Sequence, residues 1–588
     1  MPDQNLDNLR HSAAHLLAAA VMELYPKALR TIGPAIENGF YYDFDNLKIS
    51  EADFPAIEAK MHQLSPTWKS FERIETAPED AKKKFSDNPY KLELINEFTD
   101  QPITIYKSGS FEDLCRGGHI DLVSQSLNHF KLLSIAGAYW RGDEKNKMLT
   151  RIYGTIFPTK DELDKYLWQQ EEAKKRDHRK IGIQLGLWTF SDYVGGGLPL
   201  FTPKGALIRQ LINEFVEELQ SKQDITQVWT PQIAKAELFK ISGHYDKYRE
   251  NLFSVRSNYS NEEFFLKPMN CPQHTQIYAS QSRSYRDLPI RLADFAMLYR
   301  DEKPGELIGL TRTRSFSQDD CHIFCRPDQV EEEMNKALDM TKQIMETYGF
   351  KYKYRLSLHD PQHPEKYLGD AETWAKSEKL SEKILEDRGM EYFPGVGEAA
   401  FYAPKLDLIA TDSLGREWQL STLQIDFFMP QRFGLSYIDE KGQKQTPVML
   451  HRAISGSPER LMAILIEHYA GAFPTWLAPI QVVVLPISDK HLDYAKKVEA
   501  ELKSQNIRVE LNDKSEPLNA RVRDAEMQKI SYILVVGDRE SEAKSVSVRR
   551  HSSKESQSLS LSQFSSSISE EISSRTSTTT TTTTTPNV

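Results

Sequence analysis

The run SFSQDDCHIFCRPDQ, residues 315–329, places Cys321, His322 and Cys325 within five positions, directly after Asp319 and Asp320. Such residues can ligate a metal, exchange disulfides or simply pack. The local cluster has the look of half a zinc knuckle with no second half. Its Cys-His-x-x-Cys spacing is also not the C-x-x-C of a thioredoxin-like redox pair. Further soft or borderline ligands stand far away, Cys271 in KPMNCPQH and His451 in VMLHRAI. Spacing this wide does not identify a zinc site, because the usual signal is a close ligand pair. A buried thiol and two core histidines account for the same residues. Near the N-terminus, HSAAH at 11–15 and CRGGH at 115–119 each set two ligands or bases four residues apart. Two such segments can converge on one water or one metal, although a solvated helix face is the commoner origin of such a pair. Arginines form a third set. Arg300 and Glu302 in YRDE precede a Gly/Pro loop and then Arg312, and Arg460 ends HRAISGSPER. Guanidinium groups can hold phosphates and stack on a base; any one of them alone reads equally well as half of a surface salt bridge.

These residues must be positioned by the elements around them. Residues 7–24 are rich in Ala and Leu and predict a helix with His11 and His15 on one face. A mixed segment with strand-like PITIY follows. The stretch PTKDELDKYLWQQEEAKKRDHRKIG, 158–182, opens with Pro and a T-x-x-E capping box and contains no evident breaker, which predicts a single basic linker helix. From 183 to 475, amphipathic helices such as GALIRQLINEFVEELQ alternate with strand-like runs such as EWQLSTLQIDFFM and PVMLHRAI. After PTWLAP, the order IQVVVLPI, DKHLDYAKKVEAELKSQ, IRVEL and SYILVVG predicts a small doubly wound domain with a largely parallel sheet over 476–575. The threonine-rich tail, 576–588, has too little apolar content to fold and is expected to be disordered.

Composition narrows the class. Four cysteines in 588 residues are too few for a disulfide-stapled protein and favour a reducing compartment. No basic leader followed by an apolar run is present, and no apolar stretch approaches the roughly 20 residues that span a bilayer. A soluble, cytoplasmic protein without a membrane partner is expected. The net charge of -10 requires any nucleic-acid partner to be held by local basic patches.

Taken in order, HSAAH, GFYYDFD, DLCRGGHIDL, AGAYWRGD, KRDHRKIG, KPMNCPQH, YRDEKPGEL, FSQDDCHIF, FYAPKLDL, WQLSTLQIDF, MLHRAISGSPER and FPTWLAPIQVVVLP resemble the threonyl-tRNA synthetases, which are class II aminoacyl-tRNA synthetases. The resemblance implies an α+β multidomain chain in the form lacking the N-terminal ubiquitin-like (TGS) domain. It would comprise an α+β editing domain (1–157), the linker helix (158–182), a class II antiparallel-sheet catalytic core (183–475) and an α/β anticodon-binding domain (476–575). It implies ATP-dependent activation of L-threonine, transfer to tRNA(Thr), and hydrolysis of mischarged seryl-tRNA. By position, Arg300 would bind the α-phosphate, Glu302 the adenine edge, Arg312 the far phosphates, and Arg460 would stack on the base. Gln419 and Thr422, with Lys405, would floor the ATP site, and Gln318, Asp320, Tyr402 and Gln424 would surround threonine. Cys271, His322 and His451 would hold one Zn2+ per subunit, Mg2+ would accompany ATP, and Pro231 would lie in the motif that forms a homodimer. The editing site would comprise His11, His15, Cys115 and His119 with Tyr42, Lys91 and Asp113, working through water without a metal. Glu540 and Arg549 would serve tRNA binding.

Physical chemistry explains this division of labour. An apolar pocket separates threonine from valine only about a hundredfold, whereas a site that demands a hydroxyl excludes valine. Serine keeps that hydroxyl and lacks one methyl, worth roughly 1–3 kcal/mol, so a second hydrolytic site is needed. In a strand, residues 318, 320 and 322 share a face while 321 and 325 point away, which makes the two nearby thiols packing residues. The chain departs from the family where Gln273, Ser315, Ala400 and Ala403 replace usual glycines and where Ser515, Glu516 and Pro517 replace a usual Asn-Glu-Lys. A glycine position with φ > 0 would carry a penalty of about 1 kcal/mol. These departures leave two alternatives, an inactive tRNA- or mRNA-binding paralogue and an editing-only hydrolase.

Overall fold

The structure is a computed structural model that describes residues 2–97, 102–121 and 126–575; the expected disorder of 576–588 lies outside the described residues. The chain divides into two compact units, one ending at Glu171 and the next beginning at Glu172.

In the first unit the helix Pro2–Leu24 is the spine. Its Ala13, Ala14, Leu16, Leu17, Ala18 and Ala20 are completely buried, and the small alanines allow close approach to a five-stranded antiparallel sheet that includes Gly39–Asp45, Phe130–Tyr139 and Met148–Ile156. A second antiparallel sheet is formed by Glu72–Thr76, Ile103–Ser108 and Phe111–Leu114.

The span 158–182, expected as one helix, is two: Lys160–Arg176 and His178–Gln184. The break is at Asp177, whose carboxylate accepts from the Arg179 amide at 2.8 Å and caps the second helix. Asp is a favoured N-cap, so the capping signal sat inside the basic cluster rather than in a Gly or Pro.

The second unit is organised by an eight-stranded sheet in the order Thr226–Gln227, Ile290–Asp294, Asp320–Cys325, Val448–Ala453, Glu417–Asp426, Lys405–Thr411, Lys351–Leu358, Tyr392–Val396. The pairs at its two edges are parallel and all the inner ones antiparallel. On one face, Cys321, Ile323, Cys325, Leu423 and Leu450 enter the main core with Ile212 and Phe215 of the helix Pro203–Ser221, Leu338 of Val330–Thr347, and Ile464 of Pro458–His468. The other face carries Phe324 and Met449, which pack with Cys271 and Tyr402. Register then lines up polar residues on that second face: His322 opposes His451, His451 opposes Gln424, and Gln424 opposes Lys405.

A further five-stranded sheet, in the order Val509–Leu511, Val482–Pro486, Tyr532–Val536, Ser545–Arg550, Ser556–Ser560, corrects the expectation of a largely parallel domain. Its first two pairs are parallel and its last two antiparallel. The serine-rich stretch supplies the last strand and then the helix Leu561–Ser574, which buries Phe564 and Ile568 four residues apart on one face. Among the described residues no helix is long and apolar enough to cross a membrane.

Candidate functional site

The widely spaced soft ligands converge. Cys271 is the first residue of the helix Cys271–Ala279, and His322 and His451 face each other on adjacent strands. One donor atom from each lies within 4.8 Å of the others, and all three residues are buried. His322 Nε2 is 3.0 Å from His451 Nδ1. His451 Nε2 lies 2.9 Å from the Asp426 carboxylate, which fixes the ring proton there and leaves Nδ1 free for a ligand. His322 Nδ1 meets His274 Nδ1 at 2.8 Å. Burial pushes the His322 pKa well below its ordinary value and the Cys271 thiol well above its own. One thiolate and two neutral imidazoles, one braced by a carboxylate, fit a four-coordinate zinc with one position left open. Cys321 and Cys325 are fully buried on the opposite face, as period two requires, and all four cysteines are free.

Beside this triad, Asp320 accepts from the Asn270 amide at 3.3 Å, and burial raises its pKa. Tyr402 donates to Gln424 at 2.9 Å. Gln318 is half-buried in the link between the strands Ser315–Ser317 and Asp320–Cys325. Two half-buried arginines each have a buried, unpartnered Nε: Arg300, over the Phe316 ring, and Arg460, over the Trp418 ring. Desolvation lowers the Arg460 pKa, the mark of a cation held without a counter-charge. Arg312 differs. Its guanidinium donates to Glu302 at 2.7 Å and to Glu306 at 2.6 Å, so the residues expected at opposite ends of a nucleotide are paired with each other.

Asp407 was not singled out by the sequence, yet it is the hub of the floor. It accepts from Gln419 at 2.7 Å, Thr422 at 2.8 Å and Ser357 at 2.8 Å, and pairs with Lys405 and Arg355, each at 3.0 Å. Asp426 was equally missed, although it stands two residues beyond Gln424 on the same strand face and period two points to it. His244, whose Nε2 is 4.0 Å from Cys271 Sγ, comes from a remote segment and left no spacing signal.

In the first unit the second constellation also assembles. His11 Nε2 is 3.0 Å from Cys115 Sγ, and Cys115 Sγ is 3.3 Å from His119 Nε2. The outer nitrogens are held by the Gly33 carbonyl (His11, 3.2 Å) and the Ser12 hydroxyl (His119, 3.3 Å). His15 stands edge-on to both rings, with Nδ1 buried and unpartnered. Desolvation lowers His15 to about 3 and His119 to about 2, lowers His11 as well, and raises Cys115 to about 11. At neutral pH the set is three neutral imidazoles and a thiol. His11, His15 and Cys115 line a cleft of about 990 Å³ together with Tyr42, Lys91 and Asp113. Burial raises the Asp113 pKa, but Lys91 at 2.7 Å and Arg30 at 3.2 Å outweigh it and hold the group at about 2. The Tyr42 hydroxyl donates to the same carboxylate. Arg30, absent from the sequence-based set, is thus a second cation on Asp113.

The C-terminal pair is not assembled into a site. Glu540 accepts from the Gly537 amide at 2.9 Å, and Arg549 donates to the Ser553 carbonyl at 2.7 Å and to Glu526 at 2.9 Å. The glycine replacements bring no strain: Gln273, Ser315, Ala400 and Ala403 all lie outside the positive-φ set.

Residues 253–469 match the family described as tRNA synthetase class II core domain (G, H, P, S and T), residues 481–571 the Anticodon binding domain, and residues 103–153 the Threonyl and Alanyl tRNA synthetase second additional domain. The chain is 50% identical over 545 residues to the threonine–tRNA ligase of Rubrobacter xylanophilus, covering 92% of this chain and 85% of that one. It is 48% identical over 550 residues to the Dehalococcoides mccartyi threonine–tRNA ligase, covering 93% and 94%. A solved structure from Cryptosporidium parvum, described as the RNA binding domain of threonyl-tRNA synthetase, superposes with a TM-score of 0.64 at 38% identity, covering 67% of this chain and 98% of that chain.

Proposed function

The chain belongs to the threonine–tRNA ligase family, and from that premise we propose that it activates L-threonine with ATP, transfers it to tRNA(Thr) and hydrolyses seryl-tRNA(Thr). The observation that carries this reading is the second face of the eight-stranded sheet, where His322 and His451 lie in one register row with Gln424 and Lys405, and Cys271 is brought to the two histidines from the start of a helix. Cys271, His322 and His451 would hold one zinc per subunit, which when bound offers an open position to a ligand bearing an amine and a hydroxyl. Asp320, Gln318, Tyr402 and Gln424 orient the amino acid. Arg300 and Arg460 take the α-phosphate and the base of ATP, and Mg2+ accompanies the far phosphates. Arg312 exchanges its pairing with Glu302 and Glu306 for phosphate, which frees Glu302 for the adenine edge; Lys405, Gln419 and Thr422 are held ready by Asp407.

In the first unit His11, His15, Cys115 and His119 hold and activate water, and Lys91, Tyr42 and Asp113 position the ester. The lowered pKa values keep these imidazoles neutral, which suits them to orient a water by hydrogen bonds more than to take up its proton. A homodimer is supported by Trp229 and Ile233, 74% and 46% exposed on either side of Pro231, beside the sheet-edge strand Thr226–Gln227. The four free thiols fit a cytoplasmic location. The C-terminal domain would read the anticodon; Glu540 and Arg549 must release their local partners to take part.

Threonine-dependent exchange of pyrophosphate into ATP tests the ligase reading. Exchange with threonine, weak exchange with serine and none with valine is expected; absence of threonine-dependent exchange in the zinc-loaded chain would overturn it.

A further inference from the structure

His178 belongs to no group used so far, yet both its ring nitrogens are committed. It opens the helix His178–Gln184 and is 2% exposed. Nδ1 lies 2.6 Å from the Glu467 carboxylate, which also accepts from the His178 amide at 3.1 Å. A carboxylate on Nδ1 places the ring proton there, and Nε2 accordingly accepts from the Leu310 amide at 3.1 Å. With Nδ1 on Glu467 and Nε2 occupied by a backbone N–H, His178 is a clamp between the two.

What the clamp holds is the turn that presents Arg312. Ile308 and Arg312 bond to each other across it, with N–O distances of 3.1 and 3.2 Å. Leu310 at its tip is 1% exposed in the main core. Gly309 has φ +48°, and a β-carbon there would lie 2.2 Å from His178 Nε2. Only glycine lets the turn lie against the imidazole. The other end of the clamp, Glu467, sits on the helix Pro458–His468 that carries Arg460, and Arg416 braces its second oxygen at 2.7 Å. One side chain therefore fixes the loop of Arg300, Glu302 and Arg312 relative to the helix of Arg460.

We propose that His178 is a positioning residue for the nucleotide, setting the spacing between the loop 300–314 and the Arg460 helix by bridging Glu467 to the Leu310 amide. The proposal rests on the ATP reading of those arginines. It is tested in the full chain with His178→Ala, His178→Gln and Gly309→Ala. The readouts are pyrophosphate exchange at varied ATP and varied threonine, and hydrogen exchange of the 305–312 backbone. His178→Ala should raise the KM for ATP about tenfold while leaving that for threonine and the zinc content unchanged. Gly309→Ala should reproduce this split. His178→Gln, whose amide offers both a donor group and an acceptor group, should recover most of the loss. The Leu310 amide should lose protection in His178→Ala. Parallel rises in both KM values, or equal defects in the Ala and Gln variants, would reduce His178 to a packing residue and overturn the proposal. Absence of exchange in the unmodified chain would overturn the ATP reading and the role with it, and Leu310 protection, read without activity, would then still report whether the clamp exists.

Discussion

The two Cys/His clusters share the same side-chain types, and the proposed function gives them different ends. Cys271, His322 and His451 are buried, two of them on paired strands, and one imidazole is braced by Asp426. His11, His15, Cys115 and His119 come from a helix and a loop; the first three border a cleft of about 990 Å³, and His11 and His119 have a carbonyl and a hydroxyl rather than a carboxylate on their outer nitrogens. A carboxylate or a backbone carbonyl behind a ring can each orient it toward a metal, and the carboxylate adds charge. The ligands alone do not separate the proposed metal centre from the proposed hydrolytic pocket, because both groups bring their donor atoms within 4.8 Å; the proposed division rests on burial and on the charge behind the rings.

Removing a ligand from each cluster is the strongest way to break this contrast. His322→Ala should abolish bound zinc and lower threonine-dependent exchange by more than about a hundredfold, because the remaining pair cannot close a four-coordinate site. His11→Ala should leave zinc and exchange intact and remove hydrolysis of seryl-tRNA. Metal analysis of the unmodified chain should give one zinc; two would place the clusters in one class. Asp426→Asn, which weakens only the brace on His451, should reduce zinc affinity about 10- to 100-fold, measured by competition with a chelator.

The clusters should also part company with pH. A histidine whose folded pKa lies below the ordinary 6.5 binds fewer protons folded than unfolded. Its stabilising contribution is complete above pH 6.5 and is lost as pH falls toward the folded value, about 3 for His15 and about 2 for His119. Down to about pH 5, then, these rings stay neutral in the folded protein, and seryl-tRNA hydrolysis should show no loss centred near pH 6.5. Zinc must displace the proton of the Cys271 thiol, which burial holds tightly, so exchange activity should decline as pH falls and metal is released. Thermal stability of the first unit should fall below about pH 6.5 in the same samples.

How far the sequence spoke depended on the period of each element. Alternation along 318–325 put His322 on one face and Cys321 and Cys325 on the other, and the strand Asp320–Cys325 does so. The doubly wound pattern was legible at Val482–Pro486 and Val509–Leu511, but the antiparallel Ser556–Ser560 was not, because its serines carry no apolar alternation. Asp177 broke the linker helix where only an N-cap marked the boundary. Asp407, His274 and His178 escaped because their partners are brought by register or by distant turns, and no local spacing encodes them.

The smallest effects concern the replaced glycines, and they test whether the walls of the metal cluster depend on backbone freedom. Gln273, two residues after Cys271, is helical, and its side chain donates to the Pro231 carbonyl at 2.9 Å. Ser315 lies in a strand. Neither conformation needs glycine, and glycine there adds freedom to the unfolded chain. Ser315→Gly should therefore destabilise by about 0.5–1 kcal/mol, and Gln273→Gly by about 1–2 kcal/mol because it also removes a part-buried hydrogen bond. Both should retain full zinc and an unchanged KM for threonine, read by metal analysis and pyrophosphate exchange. A gain of activity in Gln273→Gly would mean that the residue crowds the ligand helix. Unchanged activity with lowered stability would mean that the side chain instead ties that helix to the Pro231 segment, so that the metal cluster is braced from the proposed dimer motif as well as from Asp426.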